Sequence, residues 1–318
     1  MNKILIVGDV MLDHYIEGIT EKISPEAPVP IVNVGSQFYR LGGAANVAKN
    51  ISNIGNACIL SGLVGDDSEG TILRQLLTED QIEHSFIIPD GDFVTTTKTR
   101  IISSKQQLLR LDKETILRQN NQRFNQQVAG LIDQHQIDIV LISDYAKGVC
   151  SDEMVKSLVQ YQPKIKVLID PKGNDWEKYR GAYLVKPNLK ELCVIVGKKI
   201  DNTDEEVVKY ARQVVSQFDF DYLLVTRGMH GMTLVSEHGV FHQKTEAVRV
   251  FDVSGAGDTV LSVLSVMLNK DHGLEESVRA ANKAGQIVVS YPYTYAINQE
   301  EFENILSTQS AEKHGLVE

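Results

Sequence analysis

The sequence predicts an α/β fold with a mainly parallel central sheet, helices on both its faces and a small antiparallel β lid. Three observations carry that reading. Short apolar runs recur at Ile4–Val7, Ile137–Ile142, Val167–Ile169, Tyr183–Val185 and Leu223–Val225. Segments of helical periodicity, such as Glu205–Phe218, separate several of them, as parallel strands joined by helices require. Two stretches break the alternation: His14–Val34, with Pro25, Pro28 and Pro30, and Phe93–Asp112, rich in threonine and β-branched residues. These read as antiparallel strands without intervening helices.

Taken in order, the first strand begins almost at once, after Met1–Lys3, and the first lid segment follows it directly. The second lid segment precedes the next main-sheet run at Ile137, so the two are expected to pack together over one edge of the sheet. Parallel sheets bind ligands beyond the carboxyl ends of their strands. Polar residues collect there: Gly8-Asp9, Ser143-Asp144, Asp170-Pro171, Lys186-Pro187-Asn188 and Thr226-Arg227-Gly228. No linker or internal repeat divides the chain, and a single domain over residues 1–318 is expected, with lid segments at about 14–34 and 93–112.

A net charge of −10 gives no general attraction to nucleic-acid phosphates or anionic membranes, so small molecules are the expected partners. Cys58, Cys150 and Cys193 lack CxxC spacing and sit among apolar neighbours, which predicts buried free thiols in a reducing compartment. With no signal-peptide-like opening and no membrane-length apolar run, a cytoplasmic location is expected.

The segment richest in chemistry is Phe251-Asp252-Val253-Ser254-Gly255-Ala256-Gly257-Asp258-Thr259, followed by the apolar run Val260–Leu268. A small-residue turn here opens a buried helix. The first turn of a helix presents unpaired N–H groups and a positive dipole end, so Gly255, Ala256 and Gly257 can form an anion hole. Asp258 beside it could accept the proton of an attacking hydroxyl as a phosphoryl group arrives. An acid in a first turn also serves simply to complement the dipole. Leu41-Gly42-Gly43-Ala44-Ala45-Asn46 opens a second small-residue helix, where glycines permit close approach of a polyhydroxylated ligand or merely tight packing.

Together these two segments resemble the signatures of the ribokinase family, the PfkB carbohydrate kinases, and the resemblance covers essentially the whole chain. It implies a ribokinase-like fold and an ATP- and Mg²⁺-dependent sugar kinase. Asp258 would be the general base, Gly255–Gly257 the anion hole, and Asp13, Gly42, Gly43 and Asn46 contacts for sugar hydroxyls. Asn188-Leu189-Lys190-Glu191 resembles the family's Asn-x-x-Glu element, with Glu191 holding magnesium through water; it also reads as a helix capping box. Thr226, Arg227, Gly228 and Asn282 would meet the nucleotide, although Arg227 and Asn282 are equally readable as surface polar residues. No Gly-x-x-x-x-Gly-Lys-Ser/Thr segment is present, which argues against a P-loop kinase.

Ile23–Pro30, Gln106–Asp112, Ser143–Gly148 and Asp170–Gly173 are similar to the heptose-7-phosphate kinases of the ADP-heptose pathway for lipopolysaccharide. That likeness implies phosphorylation of D-glycero-β-D-manno-heptose 7-phosphate at the C1 hydroxyl, and a homodimer. A phosphorylated substrate needs cations away from Asp258, for which Lys98, Arg110, Lys147 and Lys172 are candidates, with Asp144 nearby on the sugar side. Lys172 is also placed to meet nucleotide phosphates. The chain ends soon after Gln299–Leu306, which points to a stand-alone kinase, whereas bifunctional relatives carry a further nucleotidyltransferase domain. Ser254 stands where relatives often have Thr, and the Tyr-rich Ser290–Ala296 departs from their Gly-Thr loop. A kinase for another sugar, sugar phosphate or nucleoside, and a non-catalytic sugar-binding regulator, are the competing readings.

Overall fold

The computed structural model describes residues 3–117 and 121–313; the expected domain limits, Met1 and Glu318, lie outside the described residues. The chain opens with β1 (Lys3–Gly8), β2 (Val10–Ile23), β3 (Pro30–Gly43), α1 (Ala44–Asn53), β4 (Cys58–Gly65), α2 (Ser68–Glu79), β5 (Phe86–Asp90), β6 (Thr96–Ser103) and β7 (Gln106–Lys113). It continues through α3 (Gln122–Gln134), β8 (Ile137–Ser143), α4 (Asp152–Val159), β9 (Lys166–Asp170), β10 (Leu184–Val185), α5 (Leu189–Val196), α6 (Asp204–Phe218) and β11 (Tyr222–Thr226). β12 (Met232–Val235), β13 (Val240–Gln243), α7 (Ala256–Asn269), α8 (Leu274–Val288) and α9 (Gln299–Lys313) complete it.

Nine strands form the central sheet in the order β13-β12-β11-β10-β9-β8-β1-β4-β5. It is parallel from β5 to β11, and β12 and β13 add an antiparallel edge. The two faces carry separate cores. In β1, Ile4 and Ile6 join the core under α1, α7 and α8, while Leu5 and Val7 join the one under α3, α4 and α6. The period-2 alternation of a strand buried on both faces requires apolar residues at every position.

All five apolar runs singled out in the sequence are main-sheet strands. β4 and β5 were not anticipated, because Ser61 and Gly62 interrupt the apolar run of β4. The structure tolerates both: Ser61 is fully buried, its hydroxyl donating to the Phe86 carbonyl (3.4 Å), and a side chain at position 62 would crowd the Gly8 carbonyl oxygen, 2.9 Å from its Cβ.

The lid is a four-stranded sheet in the order β3-β2-β6-β7. It comprises two antiparallel pairs, as expected, but β2 and β6 lie parallel. Between the pairs the chain crosses β4, α2 and β5 in the main sheet, so both leave the same edge in the same direction. Cys58, Cys150 and Cys193 are free thiols; Cys150 is buried, whereas Cys58 and Cys193 are only partly so. Among the described residues no helix is long and apolar enough to cross a membrane.

Candidate active site

The site begins where α7 begins. Gly255 caps the helix at φ +78°, a left-handed conformation that costs most residues about 1 kcal/mol or more. A Cβ there would stand 2.7 Å from Asn46 Nδ2. Among the described residues, no acceptor is bonded to the amides of Gly255, Gly257 or Asp258, whereas the Ala256 amide donates to the Val253 carbonyl (3.3 Å). Three bare amides, those of Gly255, Gly257 and Asp258, thus line the candidate anion hole, with Ala256 bonded into its own turn.

Asp258 is buried at the rim of this hole. Asn46 Nδ2 donates to its Oδ2 (2.8 Å) and the Tyr145 hydroxyl to its Oδ1 (2.8 Å). Burial raises its pKa to about 7; the Asn46 and Tyr145 donors oppose that rise, and the nearby Asp170 charge reinforces it. A base with a pKa near neutrality is well matched to accepting a hydroxyl proton.

Helix α1 is fixed against α7 by a polar ladder that orients Asn46. Asn50 Nδ2 donates to the Asn46 carbonyl (2.9 Å) and to Asn46 Oδ1 (3.3 Å), which leaves Asn46 Nδ2 for Asp258. Asn50 Oδ1 accepts from Thr259 Oγ1 (2.9 Å), and Ser262 Oγ donates to the Val47 carbonyl (3.1 Å). Gly43 enters the helix at φ +57°, and its Cβ would be 2.4 Å from the Asp9 carbonyl oxygen. At Gly42 a Cβ would be 3.1 Å from Asp13 Oδ2.

The lid contributes two rows of side chains on one face, set by its register. Arg40, Asp13, Lys98 and Asp112 are neighbours in one row; Phe38, Tyr15, Arg100 and Arg110 are neighbours in the next. Asp13 accepts from Arg100 (2.5 Å) and from Thr294 Oγ1 (2.8 Å), and Thr294 is tied in turn to the Tyr15 hydroxyl (3.0 Å). Lys98 makes no ion pair within 4 Å among the described residues; its amine lies 5.1 Å from the Tyr145 ring centroid. Burial lowers its pKa.

The other expected cations are placed differently. Lys147 pairs with Glu114 (2.7 Å) and Lys172 with Glu191 (2.9 Å). Arg110 is half-exposed on the outer strand and bonded through two nitrogens to Asp112 (2.8 and 3.0 Å). Asp144 is not free to meet a sugar: it accepts from Lys178 (2.5 Å), the Tyr179 hydroxyl (2.7 Å) and the Ala146 amide (2.7 Å). This is a correction with a simple cause, since a buried carboxylate must collect donors and the turn after β8 supplies them.

On the opposite side of the anion hole a cavity of about 740 Å³ is lined by Thr226, Gly228, Val260, Asn282, Gly285 and Val289 among others, and reaches Ala256 and Gly257. Its apolar walls suit a nucleobase. Thr226 and Gly228 line this cavity, and Asn282 lines its wall with its amide bonded to Thr245 Oγ1 (3.1 Å) and the Lys244 carbonyl (3.0 Å). Arg227 is not a surface residue. Its buried guanidinium donates to Asn202 (2.8 Å), Asp204 (2.5 Å) and Thr233 (2.9 Å), bracing the turn. Asn188 and Glu191 form a complete capping box on α5. A bridge between Asn188 and Thr226 sets this box beside the cavity.

Sequence reasoning missed Lys186, Tyr145, Arg100 and Thr294 as site residues. Lys186 is buried, bonded to Asp170 (3.0 Å), and its Nζ would be 3.2 Å from a Cβ at Gly257, so it adds a positive charge to the anion hole. Lys186 and Tyr145 lay inside segments singled out at strand ends, where their position was the available signal.

Comparison with known proteins agrees with this geometry. In solved structures, the fold is similar to Escherichia coli phosphofructokinase-2 in complex with potassium (TM-score 0.81, 19% identity, 98% of this chain and 100% of that one). It is also similar to Arabidopsis thaliana ribokinase complexed with ribose and ATP (TM-score 0.74, 18% identity, 96% and 98%). The chain is 42% identical over 317 residues to the bifunctional protein HldE of Haemophilus influenzae strain PittEE, covering 99% of this chain and 66% of that protein. It is 41% identical to HldE of Hydrogenovibrio crunogenus, covering 96% and 63%. The chain thus spans just under two thirds of the length of these relatives. The model of the pfkB family carbohydrate kinases matches residues 1–301. With that match over residues 1–301, this chain belongs to the pfkB family of carbohydrate kinases.

Proposed function

We propose that the chain transfers the terminal phosphoryl group of ATP to the C1 hydroxyl of D-glycero-β-D-manno-heptose 7-phosphate, giving the 1,7-bisphosphate of the ADP-heptose route. The observation that carries this reading is the pairing, in one cleft, of the Asp258 carboxylate beside bare amides with Lys98, a lid cation that makes no ion pair within 4 Å among the described residues. A sugar already bearing a phosphate is held at one end by that charge and deprotonated at the other. The four segments similar to heptose-7-phosphate kinases support the choice of sugar.

In this reading Asp258 takes the proton of the attacking hydroxyl, and the amides of Gly255, Gly257 and Asp258, together with Lys186, receive the negative charge of the phosphoryl group. Asp13, bonded to Arg100, orients sugar hydroxyls. The residues fit a nucleotide-borne magnesium: Glu191 presents a partly exposed carboxylate beside Lys172, and no cluster of three potential metal ligands occurs among the described residues. Glu191 would hold the ion through water. Bound magnesium supplies positive charge against the phosphates.

Incubation with ATP and synthetic heptose 7-phosphate is expected to yield a second phosphorus resonance, from an anomeric phosphate. Turnover on fructose 6-phosphate or adenosine but not on the heptose would remove this assignment. Lys98→Met is expected to raise KM for the sugar phosphate about 10- to 100-fold, the value of a charge-assisted hydrogen bond, with KM for ATP unchanged. An equal effect on both KM values would exclude Lys98 from the sugar-phosphate end.

A homodimer belongs to the same reading. The lid leaves Ile19, Ile23, Val34, Leu109 and Leu111 exposed, more apolar surface than an isolated sheet edge usually shows. Light scattering is expected to give twice the 35.4 kDa chain mass. Leu109→Lys combined with Leu111→Lys is expected to give the monomer; an unchanged mass would place the interface elsewhere.

A further inference from the structure

The Asp258 carboxylate is gripped from two sides, and one of the two grips belongs to a residue with no other evident purpose. Asn46 reaches Oδ2 from α1, whereas Tyr145 reaches Oδ1 from the turn after β8. That turn is unusually well braced. Asp9 accepts the amides of Tyr145 (2.7 Å), Lys147 (3.1 Å) and Val149 (3.3 Å), and Asp144 accepts that of Ala146, which adopts φ +58°. A buried carboxylate that accepts three alternate turn amides holds the backbone of Tyr145 in one place. The phenol is thereby delivered to the base by a rigid frame.

We propose that Tyr145 is a positioning residue, which holds the Asp258 carboxylate in one orientation toward the substrate hydroxyl and keeps it in the ionised, proton-accepting form. The proposal rests on the reading of Asp258 as the base. A donor to a carboxylate favours its charged form, while burial favours the neutral one. Without its second donor, Asp258 would be protonated over more of the working pH range and free to rotate. Tyr145 itself stays protonated, since burial and the adjacent Asp258 charge push its pKa well above the ordinary phenol value.

Other charges also face this pair: that of Asp170 raises the pKa of Asp258 and that of Lys186 lowers it. Asp170 and Lys186 are bonded to each other on the far side of Asp258, and Asp13 is bonded to Arg100 on the lid side. Lys98 lies over the face of the ring and makes no bond to the carboxylate. The ring thus forms the wall between the cationic end of the cleft and the base, and Tyr145→Phe retains that wall while deleting the donor.

The test is the pH dependence of kcat for Tyr145→Phe with ATP and heptose 7-phosphate, or with fructose 6-phosphate should only that sugar be turned over. The acidic limb is expected to move up by about one pH unit, the value of one hydrogen bond to a charged group. Turnover at neutral pH would fall about fivefold and recover at alkaline pH, with KM for the sugar little changed. Carboxyl titration of the protein without substrates, read as the infrared difference from Asp258→Asn, is expected to show the same upward shift. A ring-fluorinated tyrosine placed at 145, a stronger donor of nearly the same shape, is expected to shift both downward and serves if the phenylalanine variant does not fold. Unmoved titration in either variant overturns the proposal, whatever happens to activity. Retained turnover in Asp258→Asn would instead overturn the base assignment and leave the titration result standing.

Discussion

Asp258→Asn is expected to fold normally and to lose roughly 10²- to 10⁴-fold in kcat, the usual value of a positioned general base. The amide fits the same pocket: its oxygen can accept from Asn46, and its nitrogen can donate to the Tyr145 hydroxyl, which needs only to rotate its proton. Nucleotide and sugar binding should persist, because the amides of Gly255 and Gly257 and the lid cations are untouched. Single-turnover kinetics with separate binding measurements check this, and turnover within a few-fold of the parent would refute the role.

The sign of the pH dependence follows from the same carboxylate. Burial raises its pKa from the ordinary carboxylate range to about 7, and only the ionised form accepts a proton, so kcat/KM is expected to fall as pH drops through about 7. Stability moves the other way. Between about 4 and about 7 the folded state holds a proton that the unfolded chain has released, so ionising this group costs stability as pH rises across that window. Asp258→Asn lacks that cost, and its stability relative to the parent is expected to increase over the same window in denaturant titrations. Asp9, which burial raises to about 6, contributes equally to both proteins and cancels.

The second large effect is expected at Gly255. Gly255→Ala meets two obstacles at once: φ +78°, and a Cβ 2.7 Å from Asn46 Nδ2 and 3.1 Å from Thr294 Cγ2. Relieving them means moving Asn46, which holds the base, or Thr294, which bonds Asp13. A displacement of about 1 Å at a reacting group costs about 10²-fold in rate, and turnover is expected to fall by that order while the fold persists. Gly257→Ala provides the contrast. Its Cβ meets Lys186 Nζ at 3.2 Å, the end of a long side chain, and a smaller loss is expected. Equal losses in the two variants would contradict this account of the turn.

Much of the architecture was legible in the residues. The five runs from Ile4 to Val225 are apolar at every position but the exposed Asp138, because both faces of their sheet are covered, and such runs survive any detail of packing. The helix start at Gly255–Asp258 was readable for a local reason, since backbone amides are left unpaired by helix geometry itself. β4 was not readable, because Ser61 and Gly62 suit that strand only once β5 and β1 lie on either side. The parallel β2–β6 pairing was likewise hidden: it depends on the path of the chain between the two lid hairpins.

By itself the sequence determined the fold class and pointed to Asp258 and the turn before it as the proposed base and amide hole, since that segment is consecutive and its local geometry follows from helix geometry alone. Tertiary structure alone decided which charges remain available to a ligand. Asp144 and Arg227 are paired with Lys178 and Asp204, while Lys98 makes no ion pair among the described residues and Lys186 and Tyr145 stand beside Asp258. The reason is physical: a buried polar group must find a partner, and which partner it finds depends on segments far away in the chain, brought together only by folding.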